Sequence, residues 1–262
     1  MTVQEHPRAA VVTPEEDQRE TPIHVRGLCK AFGSQKVLDG IDLEARRGET
    51  LAVLGRSGTG KSVLLKVLIG LQPPDAGSVR IAGHEIAGIR IEELNEVRKK
   101  MGFLFQQAAL YDSLTVEQNV AFPLTRHTRM KEEERKQRAR ELLASVGMDR
   151  DIEKLPSEIS GGMQKRVGLA RALALDPEIV LFDEPTAGLD PITAAEIGRL
   201  IVDQKKQRKI TAVVVTHDVR GARLFADRLL LLNEGKILAE GAFADLEKSK
   251  EPFVKEFLRD GG

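Results

Sequence analysis

The sequence predicts an α/β fold whose mostly parallel sheet is built around a phosphate-binding loop. Three observations carry this expectation. Residues 51–70, LAVLGRSGTGKSVLLKVLIG, run from an apolar strand through a glycine-rich turn into an apolar helix. Two later apolar runs, IVLFDE and ITAVVVTHD, each end in polar, chemistry-bearing side chains. Helical patterns separate these runs, as the crossovers of a parallel sheet require.

The first stretch holds G-x-x-x-x-G-K-S as Gly55, Arg56, Ser57, Gly58, Thr59, Gly60, Lys61 and Ser62. Glycines let the backbone take φ > 0 and curl its N–H groups around phosphate oxygens. The helix that follows turns its positive N-terminal end to the same point. Lys61 is expected on the β/γ-phosphates and Ser62 on Mg²⁺.

Upstream, residues 1–22 are polar, with Pro7, Pro14 and Pro22 and an acidic patch at Glu15–Asp17, and read as a mostly disordered leader. IHVRGLCKAFG and KVLDGIDLEARRGE read as two short strands, with Asp39-Gly40 as a turn, and imply a small antiparallel sheet. Phe32 could stack on a base, although periodicity alone favours a core side chain. Downstream, PPDAGS reads as a turn, VRIAG as a strand and IRIEELNEVRKK as a surface helix. MGFLFQQ, Met101–Gln107, reads as a buried strand ending in glutamines, which puts Gln106 where ligands meet α/β sheets. Ser113 or Thr115 is expected to cap TVEQNVAF, with Pro123 near that helix's end. MKEEERKQRARELLASVGM is a solvated charged helix ending at Gly147.

Ser160-Gly161-Gly162 opens another long helical pattern, ended by Asp176-Pro177, and its start is a second anion site by the logic of the first. Asp183 and Glu184 close IVLFDE: the aspartate is expected to hold Mg²⁺ and the glutamate to activate a water. Gly188–Pro191 is a turn before a helix, and His217 ends another core strand. DRLLLLNEGKILAEG reads as a hairpin, and residues 242–262 as a helical tail. Together these strand ends predict hydrolysis of a nucleoside triphosphate at its γ-phosphate. One chain has no phosphate for the Ser160–Gly162 site, so two copies packed head to tail are expected, each completing the other's nucleotide.

Composition limits the alternatives. The chain has 262 residues, enough for a sizeable core, and 40 basic against 40 acidic side chains. That balance argues against a nucleic-acid partner. Cys29 is the single cysteine, so no intrachain disulfide forms and the cytosol is the expected compartment. The first residues, lacking an apolar core, do not read as a secretory signal, and no run approaches the length of a membrane span.

GRSGTGKS, Gln106, ISGGMQKR, IVLFDE, AGLD and His217 resemble, in order and spacing, the ATP-binding-cassette ATPases, over Ile23–Gly241. The resemblance implies a RecA-like nucleotide-binding domain over 23–241, with an antiparallel β subdomain and a helical subdomain near 107–165. It assigns Lys61 and Ser62 to Walker A, Asp183 to Walker B, Glu184 as catalytic base and Gln106 as the Q-loop residue that reaches Mg²⁺. It implies that Asp190 closes the D-loop, that His217 contacts γ-phosphate and that Phe32 stacks on adenine. Met163 departs from the family's usual glutamine, while Ser160 and Gly162 keep the anion site.

FLFQQAALYDSLTVEQNVAFPL, SGGMQKR and the tail PFVKEFLRDG further resemble the ATPase subunits of MCE-type phospholipid transporters. That likeness implies lipid cargo, an integral membrane permease, an MCE-domain lipid-binding protein, in some systems a STAS-domain subunit, and a peripheral position on the cytoplasmic face of the inner membrane. The alternative is the ATPase of an importer of amino acids or similar small solutes.

Overall fold

The computed structural model describes residues 21–260, so nearly all of the expected leader lies outside the described residues. Strands β1 (Ile23–Phe32) and β2 (Gln35–Ala45) form an antiparallel hairpin closed at Gly33-Ser34. Asp39-Gly40, expected as a turn, lies inside β2. Leu28 faces Ile41 while Lys30 faces Leu38, so β2 carries one extra residue there. Gly40, at φ +74°, absorbs the bulge without ending the strand.

Strand β3 (Thr50–Leu54) is buried along its whole length and leads into helix α1 (Lys61–Leu68). Strands β4 (Ala76–Ile81) and β5 (His84–Glu85) complete a four-stranded sheet of order β2-β1-β4-β5, so the expected PPDAGS turn is shorter and already strand from Ala76. Helix α2 (Ile91–Lys99) precedes β6 (Met101–Leu104). That strand stops before the glutamines: Gln106 is an exposed residue in the turn beyond it.

Helix α3 (Val116–His127) starts at a Thr115–Gln118 capping box. It runs past Pro123, which was expected near its end; a proline removes one helical donor, and the turn beyond it is still closed by Thr128 N on Leu124 O at 3.1 Å. Helix α4 (Glu132–Ser145) ends before Gly147, at φ +72°. Helix α5 (Gly161–Ala172) is capped by Ser160 and stops short of Asp176-Pro177. Then come β7 (Ile179–Asp183), α6 (Pro191–Arg208), β8 (Thr211–Thr216), α7 (Val219–Phe225), β9 (Arg228–Asn233) and β10 (Lys236–Gly241). The chain closes with α8 (Phe243–Leu246) and α9 (Pro252–Asp260).

The second sheet has the order β10-β9-β3-β8-β7-β6, parallel except for the β9–β10 hairpin. Both of its faces are covered, so its strands are continuously apolar. Alternate side chains serve different cores. Leu51, Val53, Val213 and Leu230 join the cluster shared with the antiparallel sheet. Ala52, Leu54, Val214 and Leu229 join the cluster made with the helices. Val254, Phe257 and Leu258 of α9 belong to this second cluster, so the tail packs into the main body.

Candidate functional site

The carboxyl ends of β3, β7 and β8 lie side by side, because β8 pairs in parallel with both neighbours. The groups that follow those ends therefore share one edge. After β3, Gly58 and Gly60 take φ +81° and +101°, values that side chains rarely adopt. Gly55 is needed for space: a Cβ there would lie 2.5 Å from Leu232 O and 2.8 Å from Thr59 Oγ1. Thr59 Oγ1 donates to Arg56 O at 2.8 Å, tightening the loop, while Ser57 faces solvent. Arg56 leaves the loop sideways, pairing with Glu256 at 3.0 Å and lying 5.2 Å from the ring centroid of Phe253 in α9.

Lys61 is 6% exposed and donates to Gly55 O at 2.8 Å and Arg56 O at 3.0 Å, with Glu184 Oε1 at 3.6 Å. Burial pushes its ammonium below the usual lysine range, and the Glu184 carboxylate opposes that shift. Ser62 Oγ donates to Asp183 Oδ1 at 2.9 Å. Burial raises the Asp183 carboxyl above its ordinary value, the Ser62 bond lowers it, and neighbouring Glu184 raises it again. A buried acid next to another acid, with a hydroxyl beside it, is an all-oxygen set of the kind that hard divalent cations take. Ser62 and Asp183 thus fit Mg²⁺.

Glu184 follows β7 at φ +47°, an uncommon conformation for a non-glycine residue. Its carboxylate accepts from Thr216 Oγ1 at 2.9 Å and His217 N at 3.3 Å, and His217 Nδ1 lies 3.0 Å from both of its oxygens. The His217 side chain is 54% exposed, so the ring covers the carboxylate from the solvent side. A buried carboxylate held by a hydroxyl, an amide and an imidazole, with a lysine alongside, can take a proton from a water placed before it.

Lys61, Ser62, Asp183, Glu184 and His217 are therefore in direct contact. Among the described residues, Gln106 is joined to this cluster through its backbone: Lys165 Nζ donates to Gln106 O and, at 3.1 Å, to Glu184 O. Asp190 caps α6, accepting from Ile192 N, Thr193 N and Thr193 Oγ1, and the Thr193 hydroxyl leads in holding its carboxyl below the usual range. Thr193 also sits where a Cβ on Gly162 would lie, 2.5 Å from its Cγ2. Ser160 and Gly161 are exposed, Ser160 Oγ accepting from Met163 N at 3.3 Å. No hydrogen bond or ion pair joins Ser160, Gly161 or Gly162 to the phosphate loop among the described residues. Phe32 is 47% exposed on the β1–β2 hairpin, which overturns the core reading. The same hairpin brings Val37 O to 2.8 Å from a Cβ built on Gly60.

Thr216 and Lys165 escaped the sequence reading. Lys165 left a signal: it lies four residues before Leu169 and seven before Ala172, a charge on a buried helical stripe.

A family model for ABC transporters matches residues 38–187. The probable ribonucleotide transport ATP-binding protein mkl of Mycobacterium leprae is 46% identical over 236 residues, covering 90% of this chain and 68% of that protein. The methionine import ATP-binding protein MetN of Rhizobium etli is 40% identical over 234 residues, covering 89% and 64%. The intermembrane phospholipid transport system ATP-binding protein MlaF of Haemophilus influenzae is 38% identical over 237 residues, covering 90% of each. Among solved structures, a dimeric post-hydrolysis state of the ATP-binding cassette MJ0796, bound to ADP and Pi, superposes with a TM-score of 0.78 at 35% identity, covering 84% of this chain and 98% of the other. These likenesses agree with what the loop and its neighbouring carboxylates can do: the chain belongs to the ABC transporter family, as an ATP-hydrolysing subunit that energises a membrane transporter.

Proposed function

We propose that this chain drives an MCE-type phospholipid transporter, with the chemistry carried by the contact cluster of Lys61, Ser62, Asp183, Glu184 and His217. That cluster is the single observation that carries ATP hydrolysis. Backbone N–H groups of Gly55–Ser62 cradle the phosphates of ATP, and Lys61 exchanges its loop carbonyls for β/γ-phosphate oxygens. Ser62 and Asp183, with Gln106 from the neighbouring turn, would hold Mg²⁺, which would supply charge neutralisation on the phosphates. Glu184 takes the proton of the attacking water, and His217 orients the carboxylate and faces the γ-phosphate. Phe32 offers its exposed face to adenine.

Two copies pack head to tail, so that Ser160, Gly161 and Gly162 of one chain close on the nucleotide held by the other, with Asp190 at the seam. The dimeric state of the MJ0796 cassette supports this arrangement. Hydrolysis then converts to motion through the segment after Gln106. Phe103, Phe105, Tyr111, Phe122, Pro123 and His127 line a cavity of about 430 Å³ there. Buried Asn119 anchors Tyr111, accepting from its N–H and donating to its carbonyl and to those of Leu114 and Thr115. An aromatic groove of this size suits a short helix of a permease on the cytoplasmic face of the membrane. No described helix is long and apolar enough to cross a membrane; the match to the ABC transporter family model supports a peripheral place there.

The residues after Gln106, the tail and the MlaF relative support phospholipid cargo with an MCE-domain partner and, in some systems, a STAS-domain subunit. The methionine-import relative supports the second reading, a small-solute importer. Purification of the native complex from membranes separates them. A permease, an MCE subunit and bound phospholipid are expected; a soluble amino-acid receptor in their place refutes the lipid reading.

A further inference from the structure

Lys165 is 5% exposed and sits on the buried face of α5. A buried ammonium is costly unless its donors are used. No carboxylate forms an ion pair with it among the described residues. Its bonds go instead to two main-chain carbonyls, Glu184 O at 3.1 Å and Gln106 O. These carbonyls belong to the turns after β7 and β6. Glu184 holds φ +47°, a conformation that costs energy and persists only where its surroundings fix it. Its N–H is tied to Val215 O at 2.9 Å, and its carbonyl accepts from Ala187 N at 3.2 Å as well as from Lys165. Further along α5, Arg171 donates to Ala109 O at 2.7 Å and Ala108 O at 2.5 Å, and both alanines also have positive φ. One helix therefore grips the Gln106 turn at two points and the Glu184 peptide at one.

We infer that Lys165 is a positioning residue for hydrolysis. It ties the Gln106 turn and the Glu184 peptide to α5, so that the helix whose first turn carries Ser160–Gly162 also sets the orientation of the carboxylate. A nucleotide seated on that first turn is thereby linked to Glu184 of the same chain by one rigid element. The inference rests on Glu184 being the base.

The test is steady-state ATP hydrolysis by the full-length chain in its purified transporter complex, with ATP affinity measured separately. Lys165→Met removes the ammonium and both of its hydrogen bonds at similar volume. It is expected to lower kcat at least 30-fold while the Kd for ATP stays within threefold, and Lys165→Arg should recover at least tenfold of the lost rate. A Lys165→Met rate within threefold of the parent overturns the inference. So does a parallel loss of affinity and rate, or an arginine variant no better than the methionine one. If the methionine variant does not fold, Lys165→Gln is read against the same thresholds, because its shorter amide cannot span both carbonyls. Glu184→Gln is assayed alongside. A normal rate for that variant removes the base assignment itself, whereas a dead Glu184→Gln with a normal Lys165→Met removes only the role of Lys165.

Discussion

Replacing Glu184 with glutamine separates binding from chemistry at this site. The side chain keeps its volume, and one amide oxygen can still accept from Thr216 Oγ1 and His217 N, which both use Oε2. The amide nitrogen then occupies the place of Oε1 and faces the Lys61 ammonium across the 3.6 Å that now separates an ion pair. Lys61 is not orphaned, because Gly55 O and Arg56 O accept from it at 2.8 and 3.0 Å. Loss of the carboxylate also removes a negative charge facing the phosphates. ATP affinity should therefore hold or tighten, by up to about tenfold for one nearby charge in a partly screened site. Hydrolysis should fall by about 10²–10⁴, the range for removing a general base, which is about 3–5 kcal/mol of transition-state stabilisation. Phosphate release under saturating Mg²⁺-ATP measures the rate, a fluorescent ATP analogue the affinity, and size-exclusion chromatography with ATP should show accumulation of a closed dimer. Turnover within about threefold of the parent refutes the assignment of Glu184 as base.

Two further outcomes follow from other contacts. Lys61→Ala should weaken ATP binding by about 100-fold or more, the scale of losing a charge-assisted phosphate contact; unchanged affinity in the same fluorescence titration would contradict the cradle. Glu49 pairs with Arg228 at 2.7 and 3.0 Å, with side chains only 10% and 15% exposed. Burial alone would raise the Glu49 carboxyl, but the Arg228 bond and the Arg46 N–H outweigh it, so it lies below its ordinary 4.5. Its stabilising effect is thus complete above pH 4.5 and is lost as pH falls through the lowered folded value. Glu49→Ala should cost about 3 kcal/mol at pH 7 by chemical denaturation, and the gap from the parent should narrow as pH falls below 4.5 through the lowered folded value; a gap constant with pH would refute the pairing as its source.

Much of the architecture was legible because its signals are local. Gly55–Ser62 requires a strand before it and a helix after it, and β3 and α1 stand there. Apolar runs five or six residues long became β7 and β8. Boundaries were less legible where tertiary pairing overrode a local turn signal. Asp39-Gly40 became a bulge because both halves of β2 pair with the same strand, β1. Pro123 stayed inside α3 because Val120 and Leu124, on either side of it, are buried in the helical core.

The sequence by itself determined the phosphate loop, the order of the chemistry-bearing strand ends and the residue types at each, because these depend on spacing along one chain. Only the tertiary structure decided which of them touch. Parallel pairing of β3, β8 and β7 sets Ser62 against Asp183 and Thr216 and His217 against Glu184, while Gln106, one strand further out and past its strand's end, is held by its carbonyl alone. Packing of α5 across the ends of β6 and β7 turned Lys165 from a charge in a run of helix into a buried tie between two turns. Such contacts join residues far apart in the chain, and no periodicity within a window of sequence encodes them.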